Sequence, residues 1–279
     1  MTDKRSHGLV SRHSSMIDAA GIIPLPIKCQ VMSKIRHAPR ATTGLRALPA
    51  GTGVDAHRHD ENQIVYAGRG VLSVATDAGN WIAPATRAIW IPAGTVHEHR
   101  AYGDTDLYLV GLPVKENPLR LDQPAVIRVG PLLRELIIAY AGQPADLTAE
   151  RLRLRAVLLD QLRHSAQQPV HVPAASDPRL VAVCAILRDN PADNRTLAQL
   201  GAVAGVSDRT LTRLCRAEFG MSFPQWRTQL RLHHALRLLA EDTPVTVVAH
   251  QCGWASSSAF IDVFRQAFGH TPGTHRARY

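Results

Sequence analysis

Apolar positions between residues 40 and 112 fall in short runs separated by turn-forming residues. Asn62-Gln-Ile-Val-Tyr66 is followed by Gly68-Arg-Gly70, and Val71 to Thr76 by Asp77-Ala-Gly79-Asn80. Trp81-Ile82 and Arg87-Ala-Ile-Trp-Ile91 then lead to Pro92-Ala-Gly94, and Leu107 to Leu112 closes the series. Gly, Pro, Asn and Asp supply the reversals that runs of this length need, so the spacing predicts a small sandwich or barrel. The period then lengthens. Leu132, Leu133, Leu136, Ile137 and Tyr140 recur at helical spacing, and Gly142 stops the run. Leu154, Val157, Leu158, Gln161 and Leu162 form a second apolar stripe, with Arg151, Arg153 and Arg155 around it. Such helices either cover the β-domain or pair two subunits. Gln167 to Pro178 holds three prolines among small residues and reads as a linker.

Beyond the linker the pattern is helical to the end. Thr196 is suited to cap a helix with Leu197, Leu200 and Val203 on one face; Ala204-Gly205-Val206-Ser207 then makes a tight turn. Ser207 can cap a second helix with Leu211, Leu214 and Cys215 inward, and Asp208, Arg209, Thr212, Arg213 and Arg216 outward. The arrangement recurs. Val245, Val248 and Ala249 begin a helix, Gln251-Cys252-Gly253-Trp254 turns, and Ser256 can cap a helix with Phe260, Val263, Phe264 and Phe268 inward. Its outer face carries Ser257, Ser258, Ile261, Asp262 and Arg265. The two capping serines stand 49 positions apart (256 − 207), so one helix-turn-helix unit has been duplicated. Phe223 to Ala240 joins the units as an 18-residue amphipathic helix with Trp226, Leu230, Ala235, Leu236 and Leu239 inward. Such a helix is about 27 Å long, and successive major-groove faces lie roughly 34 Å apart. A rigid connector of that order can hold two recognition helices on one side of a duplex.

Composition narrows the classes. The 279 residues carry a formal net charge of +9 and are 45% apolar, enough for a core in one large domain or two. The positive balance suits a polyanion, and every Lys or Arg after position 171 is Arg, whose planar fork fits phosphate and guanine edges. Four scattered cysteines (Cys29, Cys184, Cys215 and Cys252) exclude a disulfide scaffold or a CxxC knuckle and fit a reducing cytoplasm. No apolar run is long enough for a membrane span. The stretch Ile17 to Ile27 is broken by Asp18, Pro24 and Pro26, which argues against a secretory signal.

Gly253-Trp254, Ser258-Ala259-Phe260, Phe264-Arg265, Gly269 and Thr271-Pro272 resemble the DNA-binding region of AraC/XylS-family transcription regulators. Gly205-Val206-Ser207, Leu211, Arg213-Leu214, Gly220 and Arg231-Leu232 match its first half, so the likeness spans Thr196 to Arg276. Cys215 and His275 depart from the family pattern at positions where aromatics are usual. The resemblance implies base-edge contacts from Arg209, Thr212 and Arg213 and from Ser257, Ser258 and Asp262, with Arg216 and Arg265 on the same faces. An acid such as Asp262 repels phosphate but can accept from a cytosine amino group.

His57-Arg58-His59, Gln63, Gly70 and Pro92-Ala-Gly94-Thr-Val-His97 resemble the two cupin motifs, with Gln63 standing where that pattern has an acid. The subgroup implied is the AraC-type regulator with an N-terminal cupin sensor. His57 and His59 share one face of an extended chain, and imidazoles suit divalent Zn, Fe, Ni or Mn. The expected effector pocket is His57, His59, Gln63, Arg87, His97 and His99; a divalent metal in it would use His57, His59, Gln63 and His97. The alternatives are histidines that hydrogen-bond an organic effector or one another, or that are merely solvated.

The fold expected is therefore multi-domain, β plus all-α. A flexible arm (1–40) precedes a cupin-like sensor barrel (41–115) and a helical dimerisation or cover segment (125–166). A linker (167–178) then leads to a DNA-binding domain with two helix-turn-helix units (179–279). The function expected is sequence-specific transcription regulation, with DNA affinity set by a small molecule or metal. The expected partners are double-stranded DNA, an effector, a second copy of the chain and RNA polymerase, with no membrane. The alternative is a metal-dependent cupin oxygenase or isomerase with a helical appendage; Gln63 and the lack of a clear general base count against it. A third reading makes the cupin only a dimerisation scaffold.

Overall fold

A computed structural model describes residues 35–276 apart from 144, 145, 147 and 169. Most of the expected N-terminal arm lies outside the described residues, but its end forms strand β1 (Arg36–Ala38). Then come β2 (Gly44–Leu48), β3 (Gly53–His59), β4 (Asn62–Ala67), β5 (Val71–Thr76), β6 (Gly79–Pro84), β7 (Arg87–Ile91), β8 (His97–Tyr102) and β9 (Thr105–Leu112). They make two facing six-stranded sheets, of order β1-β3-β8-β5-β6-β12 and β11-β10-β7-β4-β9-β2, so of the sandwich or barrel the sequence suggested the sandwich is formed and the barrel is not closed. Val65, Leu72, Val74, Ile89, Ile91 and Leu107 fill the space between them.

Strand β10 (Ala125–Arg128) corrects the expectation that 125–166 is wholly helical: it pairs antiparallel with β7. Helix α1 (Pro131–Gly142) lays Leu133, Leu136, Ile137 and Tyr140 on the outer face of the β4/β7/β9 sheet, against Ile64, Tyr66, Trp90 and Val110. Helix α2 (Ala149–Arg163) packs beside it through Leu158 and Leu162. Buried Arg151 donates to the carbonyls of Tyr140 (2.9 Å) and Gln143 (3.2 Å), which satisfies the open C-terminal end of α1. Leu132 (54% exposed) and Val157 (43%), expected in the apolar stripes, instead face outward.

The expected linker is also structured. Its β11 (Gln167–Gln168) pairs with β10 and its β12 (His171–Pro173) with β6, so the segment closes one edge of each sheet. Its end is held from the helical side: Trp226 donates its indole N–H to the Pro173 carbonyl (3.3 Å), and Glu218 accepts from the Ser176 amide (2.6 Å).

Helices α3 (Pro178–Asp189), α4 (Leu197–Val203), α5 (Asp208–Phe219), α6 (Phe223–Ala240), α7 (Val245–Gln251), α8 (Ser257–Phe268) and α9 (Pro272–Arg276) complete the chain. Helix α6 belongs to two cores. Phe223, Trp226 and Leu230 join Leu180, Val183, Leu187, Leu200, Leu211 and Phe219. Leu232, Ala235, Leu236 and Leu239 join Val248, Phe260, Phe264 and Phe268 and, from the sheet domain, Val71, Ile82 and Tyr102. Each large apolar side chain so buried contributes roughly 1.5–3 kcal/mol. The second helix-turn-helix unit is thus docked on the sheet that carries β5, β6 and β8.

Candidate nucleic-acid interface and effector cavity

The two helix-turn-helix units are built alike. Thr196 caps α4, its hydroxyl accepting from the Gln199 amide (3.2 Å) while the Gln199 side chain reaches back to the Thr196 amide (2.8 Å). Ser207 caps α5 through the Thr210 amide (3.2 Å), and Ser256 caps α8 through the Ala259 amide (3.2 Å). Both second helices have 12 residues and end on a left-handed glycine, Gly220 (φ +66°) and Gly269 (φ +78°). Helix α5 buries Leu211, Leu214, Cys215 and Phe219, which leaves Arg209, Thr212, Arg213 and Arg216 together on one exposed face. None of these three guanidiniums has an acidic partner among the described residues. Helix α8 buries Phe260, Phe264 and Phe268 and exposes Ser258, Asp262 and Arg265, with Ser257 half-buried. Asp262 and Arg265 pair at 3.1 Å with both side chains more than 60% exposed, a weak contact that a ligand can displace.

A second constellation lies between the sheets. His57 is paired with His97 across β3 and β8, and His99 stands opposite Val74, so their side chains point inward. The His57, His59 and His97 ring nitrogens come within 4.8 Å of one another. Each ring is tethered by Nδ1 to a backbone carbonyl two residues away: His57 to Asp55 (2.8 Å), His97 to Thr95 (2.8 Å) and His59 to Glu61 (2.6 Å). An N–H donated at Nδ1 leaves the lone pair at Nε2, the tautomer in which metal-binding histidines are held. His97 Nε2 and both nitrogens of His99 are buried without a partner. Burial drives the His97 imidazole down to about 3 and that of His99 well below its ordinary value, so both are neutral. Gln63 directs Oε1 at His59 Nε2 (3.3 Å) while its amide nitrogen donates to the Thr42 carbonyl (3.1 Å). Three converging imidazoles and an amide oxygen fit a divalent transition metal, and His97 Nε2 is otherwise an orphaned buried acceptor. A bulge in β3 between Val54 and His57 adjoins a pocket of about 260 Å³ whose lining includes His99.

Comparison with known proteins matches both domains. The model of the AraC-like ligand binding domain matches residues 41–157, and that of a helix-turn-helix domain matches residues 200–278. The chain is 33% identical over 227 residues to the HTH-type transcriptional regulator NimR of Escherichia coli, covering 80% of this chain and 82% of that protein. The chain belongs to the AraC family of HTH-type transcriptional regulators. It is also 40% identical over 106 residues to the HTH-type transcriptional regulator RipA of Corynebacterium glutamicum, 38% of this chain and 32% of that one. Among solved structures, the DNA-binding domain of AdpA in complex with a target DNA is 35% identical, over 37% of this chain and 94% of that one, with a TM-score of 0.35.

In this AraC-family regulator, one residue expected in the pocket is elsewhere. Arg87 opens β7, whereas Gln63 pairs with Ile91 at the strand's other end, about 13 Å away at 3.3 Å per residue. Its guanidinium lies over the Phe268 ring (4.5 Å from the centroid) and donates to the Ala267 carbonyl at the end of α8. Arg87 therefore ties the sensor to the second helix-turn-helix unit. Sequence reading also missed Tyr102, which faces α6 with Arg237 over its ring at 4.6 Å. Ser73 lies 3.5 Å from His233 Nε2 in the same interface. The alternation of β8, with His97 and His99 inward and Tyr102 outward, was the available signal for the strand, though not for its partner helix. No helix among the described residues is long and apolar enough to cross a membrane.

Proposed function

We propose that this regulator reads two successive major-groove segments on one side of a duplex, with α5 in one and α8 in the next. Arg209, Thr212, Arg213 and Arg216 supply base and phosphate contacts from the first helix; Ser257, Ser258, Asp262 and Arg265 supply them from the second. The observation that carries this is the pair of equal, serine-capped helices with exposed polar faces, yoked by the single helix α6. Occupancy of the histidine cavity by a small molecule or metal sets DNA affinity. Strands β5 and β8 line the cavity on one face and touch α6 on the other through Ser73 and Tyr102. An effector that binds one arrangement of sensor and helices better than another shifts the population toward it. A bound divalent metal, held by His57, His59, His97 and Gln63, would supply a Lewis-acidic anchor for that effector. The protein works in the cytoplasm as a homodimer, with the α1/α2 segment, which exposes Leu132, Leu152 and Val157, as its pairing surface, and acts on RNA polymerase at the promoters it occupies.

Fluorescence anisotropy with operator DNA tests the interface. Arg213→Ala should weaken specific binding by about 1–3 kcal/mol, and affinity should fall steeply with salt as counterions are released. Unchanged affinity in both Arg209→Ala and Arg213→Ala would remove α5 from the interface.

A further inference from the structure

We infer that the effector of this regulator is a small carboxylate, bound to a divalent metal that the cavity holds on uncharged ligands alone. The inference rests on the reading of the cavity as the effector site. Its starting point is the contact between His59 and Gln63. The Gln63 amide nitrogen is committed to the Thr42 carbonyl, so the atom facing His59 is the acceptor Oε1. His59 Nδ1 lies 2.6 Å from the Glu61 carbonyl, so in the neutral ring that donates there Nε2 carries the lone pair. Gln63 Oε1 facing that nitrogen at 3.3 Å calls for a positive centre between the two atoms, either a proton or a metal ion. A cation bound by both atoms supplies it, and the Nε2 atoms of His57 and His97 complete the set without any new orientation.

The charge balance of such a centre is unusual. All four donors are neutral, and no carboxylate belongs to the cluster among the described residues. Glu61 accepts from the Ala41 amide (3.1 Å) and Asp60 is paired with His37 (2.9 Å). Asp55 and Glu98 border the pocket beside His99 and are not among the converging groups. Arg36 and Arg46 add positive potential at His57. A buried dication without a protein anion carries a large desolvation cost. An oxygen-donor anion lowers that cost and fills an open coordination position at once. His99, 5% exposed and with both ring nitrogens unpartnered, stands 5.1 Å ring-to-ring from His97 and can donate its one N–H to the anion's second oxygen. Carboxylates offer that pair of oxygens. His99 is thus a positioning residue for the ligand, and Gln63 is the residue that leaves the charge open.

The test is a titration of the full-length, chelator-stripped protein with Co²⁺, whose visible absorption reports its ligands, followed by acetate and lactate with acetamide as the neutral control. One Co²⁺ per chain should bind, and its spectrum should change with acetate or lactate and not with acetamide. Gln63→Glu places the anion in the protein itself; it should tighten Co²⁺ at least tenfold and weaken the carboxylate response at least tenfold. His99→Phe should leave Co²⁺ affinity within about twofold and weaken the carboxylate at least fivefold, with circular dichroism confirming the fold of each variant. Absence of stoichiometric Co²⁺ in the folded wild type, or Co²⁺ binding indifferent to both carboxylates, overturns the inference. So does a carboxylate response that survives in Gln63→Glu. Operator binding is measured on the same samples. A protein that binds DNA but no Co²⁺ loses this inference alone, whereas one that binds Co²⁺ and carboxylate without any effect on DNA affinity loses the regulatory reading of the cavity.

Discussion

Gly205 and Gly253 occupy the same place in the two helix-turn-helix units, two residues beyond the last residue of the first helix, both left-handed (φ +66° and +78°). Their surroundings differ. A Cβ on Gly205 meets nothing within 4 Å, whereas on Gly253 it would lie 2.7 Å from Ala192 Cα, 2.9 Å from the Ala192 carbonyl oxygen and 2.7 Å from Arg231 Nη2. Arg231 cannot swing away freely, because it donates to Pro191 (2.9 Å), Asp193 (3.1 Å) and Asn194 (2.9 Å). Placing alanine in the left-handed region costs about 1–2 kcal/mol, offset by about 0.4–1 kcal/mol from the stiffer unfolded chain. Gly205→Ala should therefore cost about 1 kcal/mol. Gly253→Ala bears the same strain plus overpacking against backbone, typically about 1–3 kcal/mol, for a total of about 2–4 kcal/mol. Peptide-resolved hydrogen exchange on the full chain separates the effects, with α4 reporting the first substitution and α7 the second. Equal loss of protection, or a larger one for Gly205→Ala, would show that the second turn is not seated on the 191–193 loop.

Two further outcomes follow from the same geometry. Ser207→Ala and Ser256→Ala each remove a cap and should each cost about 1 kcal/mol; the double variant should lose the sum, since the caps lie in separate units, as read by urea unfolding. Stability should also depend on His234, where burial, and then the charge of Arg237, push the imidazole down to about 4. In the unfolded chain it protonates near 6.5, so between about 6.5 and 4 the unfolded state holds the extra proton and stability falls with falling pH, by up to about 1.4 kcal/mol per pH unit. Buried His97 and His99 add slope of the same sign, so His234→Gln should reduce the slope by its own share and leave theirs in a melting-temperature series, and an unaltered slope contradicts the burial.

The helical half was nearly complete in the sequence because its signals are local. Thr196, Ser207 and Ser256 sit at the starts their side chains cap, and the 49-residue repeat placed both turns. The histidine cluster was legible too: alternation put His57 and His59 on one face, and the resemblance to the cupin motifs brought in His97 and, from the facing sheet, Gln63. What was not legible depends on partners distant in the chain. β11 and β12 have two and three residues, of polar and proline composition, and exist only because β10 and β6 offer open edges. Leu132 and Val157 fit a helical stripe, yet periodicity does not say how wide the covered face is. Arg87 has the parity of an inward residue but stands at the strand's end, where α8 meets it. The docking of Tyr102 and Ser73 on α6 joins residues more than 130 positions apart.

Hydroxyl-radical footprinting of the full-length regulator on its operator tests the two-helix reading most directly. The geometry predicts two protected patches on one face of the duplex, about one helical turn apart. Arg209→Ala with Arg213→Ala should erase one patch, and Ser258→Ala with Arg265→Ala the other. A single patch, two patches on opposite faces, or patches that fade together under either pair of substitutions would contradict independent reading by α5 and α8.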